Sequence, residues 1–236
     1  MAVLASTLFS QAGVLLQDTT HTRWPLDELA AWTDDGIRAI VMAKPNAAPI
    51  DMVINLVAGT LQTLPSAAGV NIPQSLLSLT RNLRQTTPAR LSGRAITATN
   101  RLSLDGRSPH WHDERTTPRA KEVRQFFLDA MDPLRFWVYP GNDGTGVVEA
   151  IVSALPPAIT PTGSATLLSS WNVPIPLLQD IYATPLLDYV CFRAQSKDDT
   201  GANAGRASAH YTAFATAIGI KVQSEAGSQP NRRVSG

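Results

Sequence analysis

The feature that most constrains this chain is a change of apolar period, helical at both ends and strand-like between them. Leu8, Phe9, Ala12, Leu15 and Leu16 recur at helical spacing and predict a short amphipathic helix. A second helix is better marked. Pro25 suits the first turn, Asp27 and Glu28 suit the positive end of the helix dipole, and Leu26, Leu29, Ala30, Ile37, Ile40 and Val41 form one stripe. Lys44-Pro45-Asn46 ends it, because proline lacks an amide proton and disfavours helical geometry in the residue before it. From Asp51 to Pro157 the pattern becomes short runs rich in Val, Ile, Thr and aromatics, each closed by a turn signal. Val53 to Val57 and Leu61 to Leu64 are expected to pair across Ala58-Gly59-Thr60, and Arg94 to Thr99 is a further strand. Val123 to Asp129, Leu134 to Tyr139 and Val147 to Ala154 read as a three-stranded meander. Helices then return. One carries Leu187, Val190, Cys191 and Ala194, with Thr184 as cap and Pro185 at the first helical position or a kink; the other carries Ala207, His210, Tyr211, Phe214, Ala217 and Ile218.

Terminal helices that pack into one bundle, with the strands projecting as an insertion, predict an α+β fold. The expected organisation is N-terminal bundle helices over 1–48, an antiparallel β-rich insertion over 49–157 and a Pro-rich connector over 158–176. C-terminal bundle helices over 177–220 and an extended tail over 221–236 complete it. That tail has only Val222, Ala226 and Val234 as apolar side chains, too few to offset a backbone ordering cost of about 1–2 kcal/mol per residue without a partner.

Charged residues make up 17% of the chain, against about 25% in an average soluble domain, which suits a surface buried against neighbours. A formal charge of +1 argues against a chain whose main task is gripping nucleic acid. The distribution is less even: residues 1–70 carry three basic and six acidic side chains, whereas 81–124 carry ten basic and four acidic. Within that stretch Arg81, Arg84, Arg94, Arg101, Arg115, Arg119 and Arg124 are candidate contacts to an acidic partner or to passing DNA, the alternative being a solvated, salt-bridged face. A lone Cys191 makes no internal disulfide and no secretory leader pattern is visible, so synthesis in a reducing cytosol is expected. No apolar run reaches the ~18 residues of a membrane-spanning helix, and no membrane partner is expected.

Three constellations have chemical potential. His110-Trp111-His112, if extended, puts two imidazoles on one face beside Asp113 and Glu114, where metal ligation competes with a Trp-anchored loop. Gly141-Asn142-Asp143-Gly144-Thr145-Gly146 resembles a phosphate-cradling loop, but a strand follows instead of a helix, so a hairpin turn explains the glycines more simply. Cys191 sits in an apolar stripe, where a thiol behaves as a small buried hydrophobe. No enzyme signature is present, and neither catalysis, cofactor nor metal is expected.

Several blocks, in order, resemble the head-to-tail adaptor (connector) proteins of short-tailed bacteriophages. They are Trp24-Pro25 through Gly36, Lys44-Pro45, Leu56 to Thr60, Asp132-Pro133 through Tyr139-Pro140, and Asp180 to Asp199 with Tyr182, Asp188 and Tyr189, running into Ala207 to Ala213. The resemblance implies a structural virion protein in the particle's neck, assembled in the host cytoplasm. It further implies a ring with itself, commonly of twelve copies, between the portal protein and the tail tube or nozzle, forming part of the DNA exit channel. It also implies a C-terminal arm that docks on the portal, which gives Lys221, Arg232 and Arg233 a role as donors to its carboxylates. A phage-encoded hydrolase and a nucleic-acid-binding module are the alternatives from other classes.

Overall fold

A computed structural model of the chain describes residues 3–86, 90–129, 131–176, 179–197 and 203–228, the side chains of Gln85 and of residues 220–228 excepted. The chain divides into two units, Met1–Ala47 with Pro157–Gly236, and Ala48–Pro156. The first is helical and the second is built of strands, so the fold is mixed α+β.

In the helical unit, α1 (Ala5–Leu15) and α2 (Leu26–Ala43) take up the N-terminal periods. Every residue of the expected α2 stripe is buried, Leu29 and Ile40 completely, as amphipathic patterning requires. The turn between α1 and α2 holds two left-handed residues, Gln17 at φ 58° and His21 at φ 53°. Asp18 organises it: its carboxylate accepts hydrogen bonds from the backbone N–H groups of Thr22 (3.1 Å), Arg23 (2.8 Å) and Trp24 (2.8 Å). Burial alone pushes this carboxyl up. The N–H groups of Trp24, Thr22 and Arg23 together outweigh burial and hold it below the ordinary carboxylate range.

The helix α4 (Ala183–Ser196) packs on α1, α2 and α5 (Ala204–Ser228). Its approach to α2 is close, because a Cβ on Gly36 would lie 2.6 Å from Leu186 Cδ1 and 3.0 Å from Tyr189 Cδ1. Against α5 it presents rings: Tyr189 meets Phe214, and Phe192 meets Tyr211, each pair 5.0 Å apart. The Pro-rich segment before α4 has little regular structure but is anchored. Trp171 is buried with its ring 5.4 Å from Phe9, and the Ile159 N–H donates to both oxygens of Asp34.

Two helix ends differ from expectation. The first turn of α4 begins at Ala183, not at a Thr184 cap, and Pro185 falls inside that turn, where the missing N–H has no intrahelical partner to lose. At the other end α5 does not stop at Ile220. Its backbone stays helical to Ser228 through Lys221-Val-Gln-Ser-Glu-Ala, a run rich in helix formers and free of proline. The first eight residues of the expected extended tail are therefore helix, and residues 229–236 lie outside the described residues.

In the strand unit, β1 (Pro49–Asn55), β3 (Ile72–Gln85), β4 (Leu91–Ala95) and β8 (Val147–Leu155) form one antiparallel sheet in the order β1-β8-β3-β4. A second sheet has the order β2-β7-β6-β5, from β2 (Gly59–Thr63), β5 (Thr97–Ala98), β6 (Gln125–Leu128) and β7 (Arg135–Asn142), with β5 and β6 parallel. One apolar core receives Ile54, Leu76, Leu79, Val148, Ala150 and Val152 from the first sheet and Phe126, Phe136 and Val138 from the second. The opposite face of the second sheet presents Phe127, Trp137 and Tyr139, which Leu104 of the short helix α3 (Arg101–Arg107) and Trp111 cover.

This topology corrects two expected pairings. Val53 to Val57 and Leu61 to Leu64 do not form a hairpin: β1 pairs with β8 and β2 with β7. Likewise β6 and β7 pair as expected, but β8 leaves them for the other sheet, so the three strands are not a meander.

Candidate functional site

Most of the block residues Trp24 through Tyr189 hold local structure together. Trp24 is 2% exposed, with its ring 6.1 Å from Trp32, and the Arg23 guanidinium (5.4 Å) and Lys197 ammonium (5.6 Å) over it. Pro25 immediately precedes α2 in extended geometry. Lys197 also pairs with Glu28 at 2.7 Å. In the β6–β7 turn, Asp132 accepts the Leu134 N–H and pairs with Arg135, with Pro133 between them. Tyr139-Pro140 lies within β7 as a cis peptide. Tyr182 is 2% exposed beneath the Lys44 ammonium, and Asp188 of α4 meets His210 Nδ1 of α5 at 2.9 Å.

The three chemical constellations resolve into architecture. Residues 110–112 form turns, not an extended run: the His112 ring stacks on Trp111 at 3.4 Å and its Nδ1 shares a hydrogen bond with Thr60. Burial, chiefly, lowers the His112 pKa. Among the described residues no group of three or more His, Cys, Asp or Glu is placed to hold a metal. In the glycine loop, Asn142 is fully buried and uses its amide in four directions, donating to the Ala120 and Lys121 carbonyls and accepting from the Gly144 and Gly146 N–H groups. A Cβ on Gly146 would sit 2.2 Å from Asn142 Nδ2, so close approach, not phosphate, demands that glycine. Cys191 is completely buried, and desolvation with the nearby Asp188 charge pushes its thiol up to about 12, which removes it as a nucleophile.

The arginine stretch divides in space. Arg81 and Arg90 both grip Glu149 of β8, at 2.7 and 3.2 Å, and Arg81 reaches Ser92 as well. Those donors hold the Glu149 carboxyl below its ordinary range, the Arg81 hydrogen bond foremost. Arg101 pairs with Asp105 at 3.5 Å and Arg119 with Glu114 at 2.8 Å. Arg84 and Arg115 are exposed. Arg94 and Arg124 converge, with Arg107, on one concave site of about 320 Å³ that Thr97, Gln125 and Tyr139 also line. Arg107 was not among the sequence candidates; only its place at the end of α3 brings it there. Of the tail residues, Lys221 lies on the α5 backbone, and Arg232 and Arg233 lie outside the described residues.

A family model described as SU10 adaptor protein matches residues 4–234. Among curated proteins none matches the sequence.

Proposed function

Because the chain belongs to the SU10 adaptor protein family, and is thus a phage adaptor, we propose that it works as a structural virion protein in the neck of the particle. In this reading copies of the chain close a ring, twelve in number, between the portal and the tail tube or nozzle, and the ring's lumen is part of the DNA exit channel. The observation that carries it is the family match, which runs through both the helical and the strand unit and so concerns the whole architecture. A sparsely charged surface supports it: ring contacts that are individually weak become strong when neighbours are held on one symmetric platform. Averaged images of intact particles test it. A ring of this chain beneath the portal is the expected result, and the chain found elsewhere, or as single copies, overturns it.

The C-terminal segment is the proposed portal contact, with Lys221, Arg232 and Arg233 as donors to carboxylates there. A chain truncated after Ile220 is expected to keep its thermal transition while its incorporation into portal-bearing heads falls at least tenfold. Normal incorporation of the truncated chain would assign the joint to the rest of the helical unit.

A further inference from the structure

We propose that the pocket formed by Arg94, Arg107 and Arg124 is a phosphate site for the backbone of a nucleic acid. Lack of a carboxylate partner combined with a shared concavity singles these three out, since Arg84 and Arg115 form no ion pair among the described residues either but stand outside the pocket. In the strand unit Arg81, Arg90, Arg101, Arg119 and Arg135 each lie within salt-bridge distance of a carboxylate. Arg94, Arg107 and Arg124 form no ion pair among the described residues, and no acidic side chain lines the pocket. Arg107 donates to the Gln125 amide oxygen, which leaves most of its five N–H groups for a ligand.

The pocket is also built on fixed backbone. The Arg94 carbonyl accepts from the buried Asn82 side chain at 2.9 Å. Arg124 donates its N–H to the Tyr139 carbonyl at 2.8 Å, and its own carbonyl accepts from the Thr97 N–H at 3.1 Å and hydroxyl at 3.3 Å. Three like charges therefore enter one concavity, two of them from anchored backbone, and an anion relieves their mutual repulsion. A volume of about 320 Å³ takes a phosphate group with several waters, each water occupying about 30 Å³.

Two features favour a nucleic-acid phosphate over a carboxylate on a protein partner. The lining holds no aliphatic side chain, whereas the centres of protein interfaces are apolar and depleted in charge. Guanidinium forks fit phosphate oxygens, and duplex DNA, with a charge every ~1.7 Å along its axis, surrounds the seated phosphate with further negative charge that a lone carboxylate lacks. With a net charge of only +1, the chain as a whole holds nucleic acid weakly, so the attraction depends on local clusters such as this one. That suits a guide for a strand moving past better than a clamp. The phosphate chemistry stands on the pocket alone; identifying the strand as DNA in transit rests on the channel reading.

The test uses the full-length chain and a short labelled DNA duplex, comparing R94Q/R107Q/R124Q with R101Q/R115Q/R119Q, which loses the same formal charge. The pocket variant is expected to bind at least tenfold more weakly and to flatten the log K against log salt slope by about 0.9, the value for the one phosphate the pocket seats. The distributed variant, which removes no seated phosphate, should leave that slope unchanged. Inorganic phosphate should raise the melting temperature of the parent chain and not of the pocket variant, a readout that also shows the variant to be folded. Single R107Q, at the end of α3, serves if the triple variant does not melt cooperatively, and should flatten the slope in the same direction by a smaller amount. Equal losses in the two triple variants, or binding of polyglutamate in place of DNA, overturn the proposal. A ring imaged at the neck together with indistinguishable variants sinks the site and leaves the channel reading; no ring but a pocket-specific loss does the reverse.

Discussion

Replacing Asp18 by alanine is expected to destabilise the helical unit by about 2–4 kcal/mol at neutral pH, since hydrogen bonds to a charged group are worth about 1.5–3 kcal/mol each and are not additive. Asp18 is 9% exposed, and its carboxylate accepts three consecutive backbone N–H groups, Thr22 through Trp24, at the entry to α2. Without it those donors have no acceptor, and the left-handed residues Gln17 and His21 lose the anchor that offsets their strain. The sign with pH follows from the lowered carboxyl. A folded pKa below the unfolded one gives stability that is fully present above the unfolded value and is lost as pH falls through the folded value. Parent and variant melting temperatures should therefore lie far apart at neutral pH and converge in strong acid. Asp35→Ala, which removes largely solvent-exposed pairs with Arg38 (2.9 Å) and Arg193 (3.7 Å), is the control and should shift stability by no more than about 1 kcal/mol. A gap that persists unchanged into acid would show that Asp18 acts by packing, not by charge.

The four long helices, α1, α2, α4 and α5, were legible in the sequence because a helix writes its buried face locally, every three or four residues, whatever it packs against, whereas the seven-residue α3 buries only Leu104 and shows no period. The α2 stripe is the clear case. Strand partners were not legible. An amphipathic strand looks the same whichever sheet receives it, and the default that consecutive strands pair fails here at β1–β2 and β7–β8, each of which changes sheet. The longest strand, β3, went unread for a different reason. Its buried Leu76, Leu79 and Leu83 are spaced three and four apart, a helical interval, because its ladder with β8 shifts register between Pro73 and Ser75, Leu76 and Ser78, and Leu79 and Arg81. Each bulge inserts a residue and breaks the period of two.

The candidate site shows the same division. Sequence reveals that arginines are concentrated over 81–124 but not which of them already has a partner. Glu149, which takes Arg81 and Arg90, lies far along the chain, while Arg107 arrives through the placement of α3. Asp18 and Asn142 carried a faint signal, since Asx residues in polar turns bond backbone two to six positions away. Asn82, in the middle of an unread strand, carried none.

Asn82 is where the largest loss in the strand unit is expected. Its side chain is buried at 3% exposure and all its contacts are to backbone: Nδ2 donates to the Arg94 carbonyl at 2.9 Å and the Val123 carbonyl at 2.7 Å, and Oδ1 accepts the Val123 N–H at 2.8 Å. It thereby ties β3 both to β4 and to the segment that leads into β6. Asn82→Leu keeps most of the volume but leaves one N–H and two carbonyls without a partner, at about 1–3 kcal/mol for each buried group, so a loss of about 3–5 kcal/mol is expected. Leucine cannot rescue this by apolar burial, since the groups it abandons belong to the main chain and stay where they are. Hydrogen exchange gives a local readout: the Val123 amide should lose its protection in the variant while the β8 amides paired with β1 keep theirs. Because Arg94 and Arg124 stand on the segments that Asn82 joins, the same variant should also weaken the phosphate-dependent rise in melting temperature. A fully protected Val123 amide in Asn82→Leu would mean that the two segments are held together by the Thr97 ladder to Arg124, and that Asn82 is only a passenger in the core.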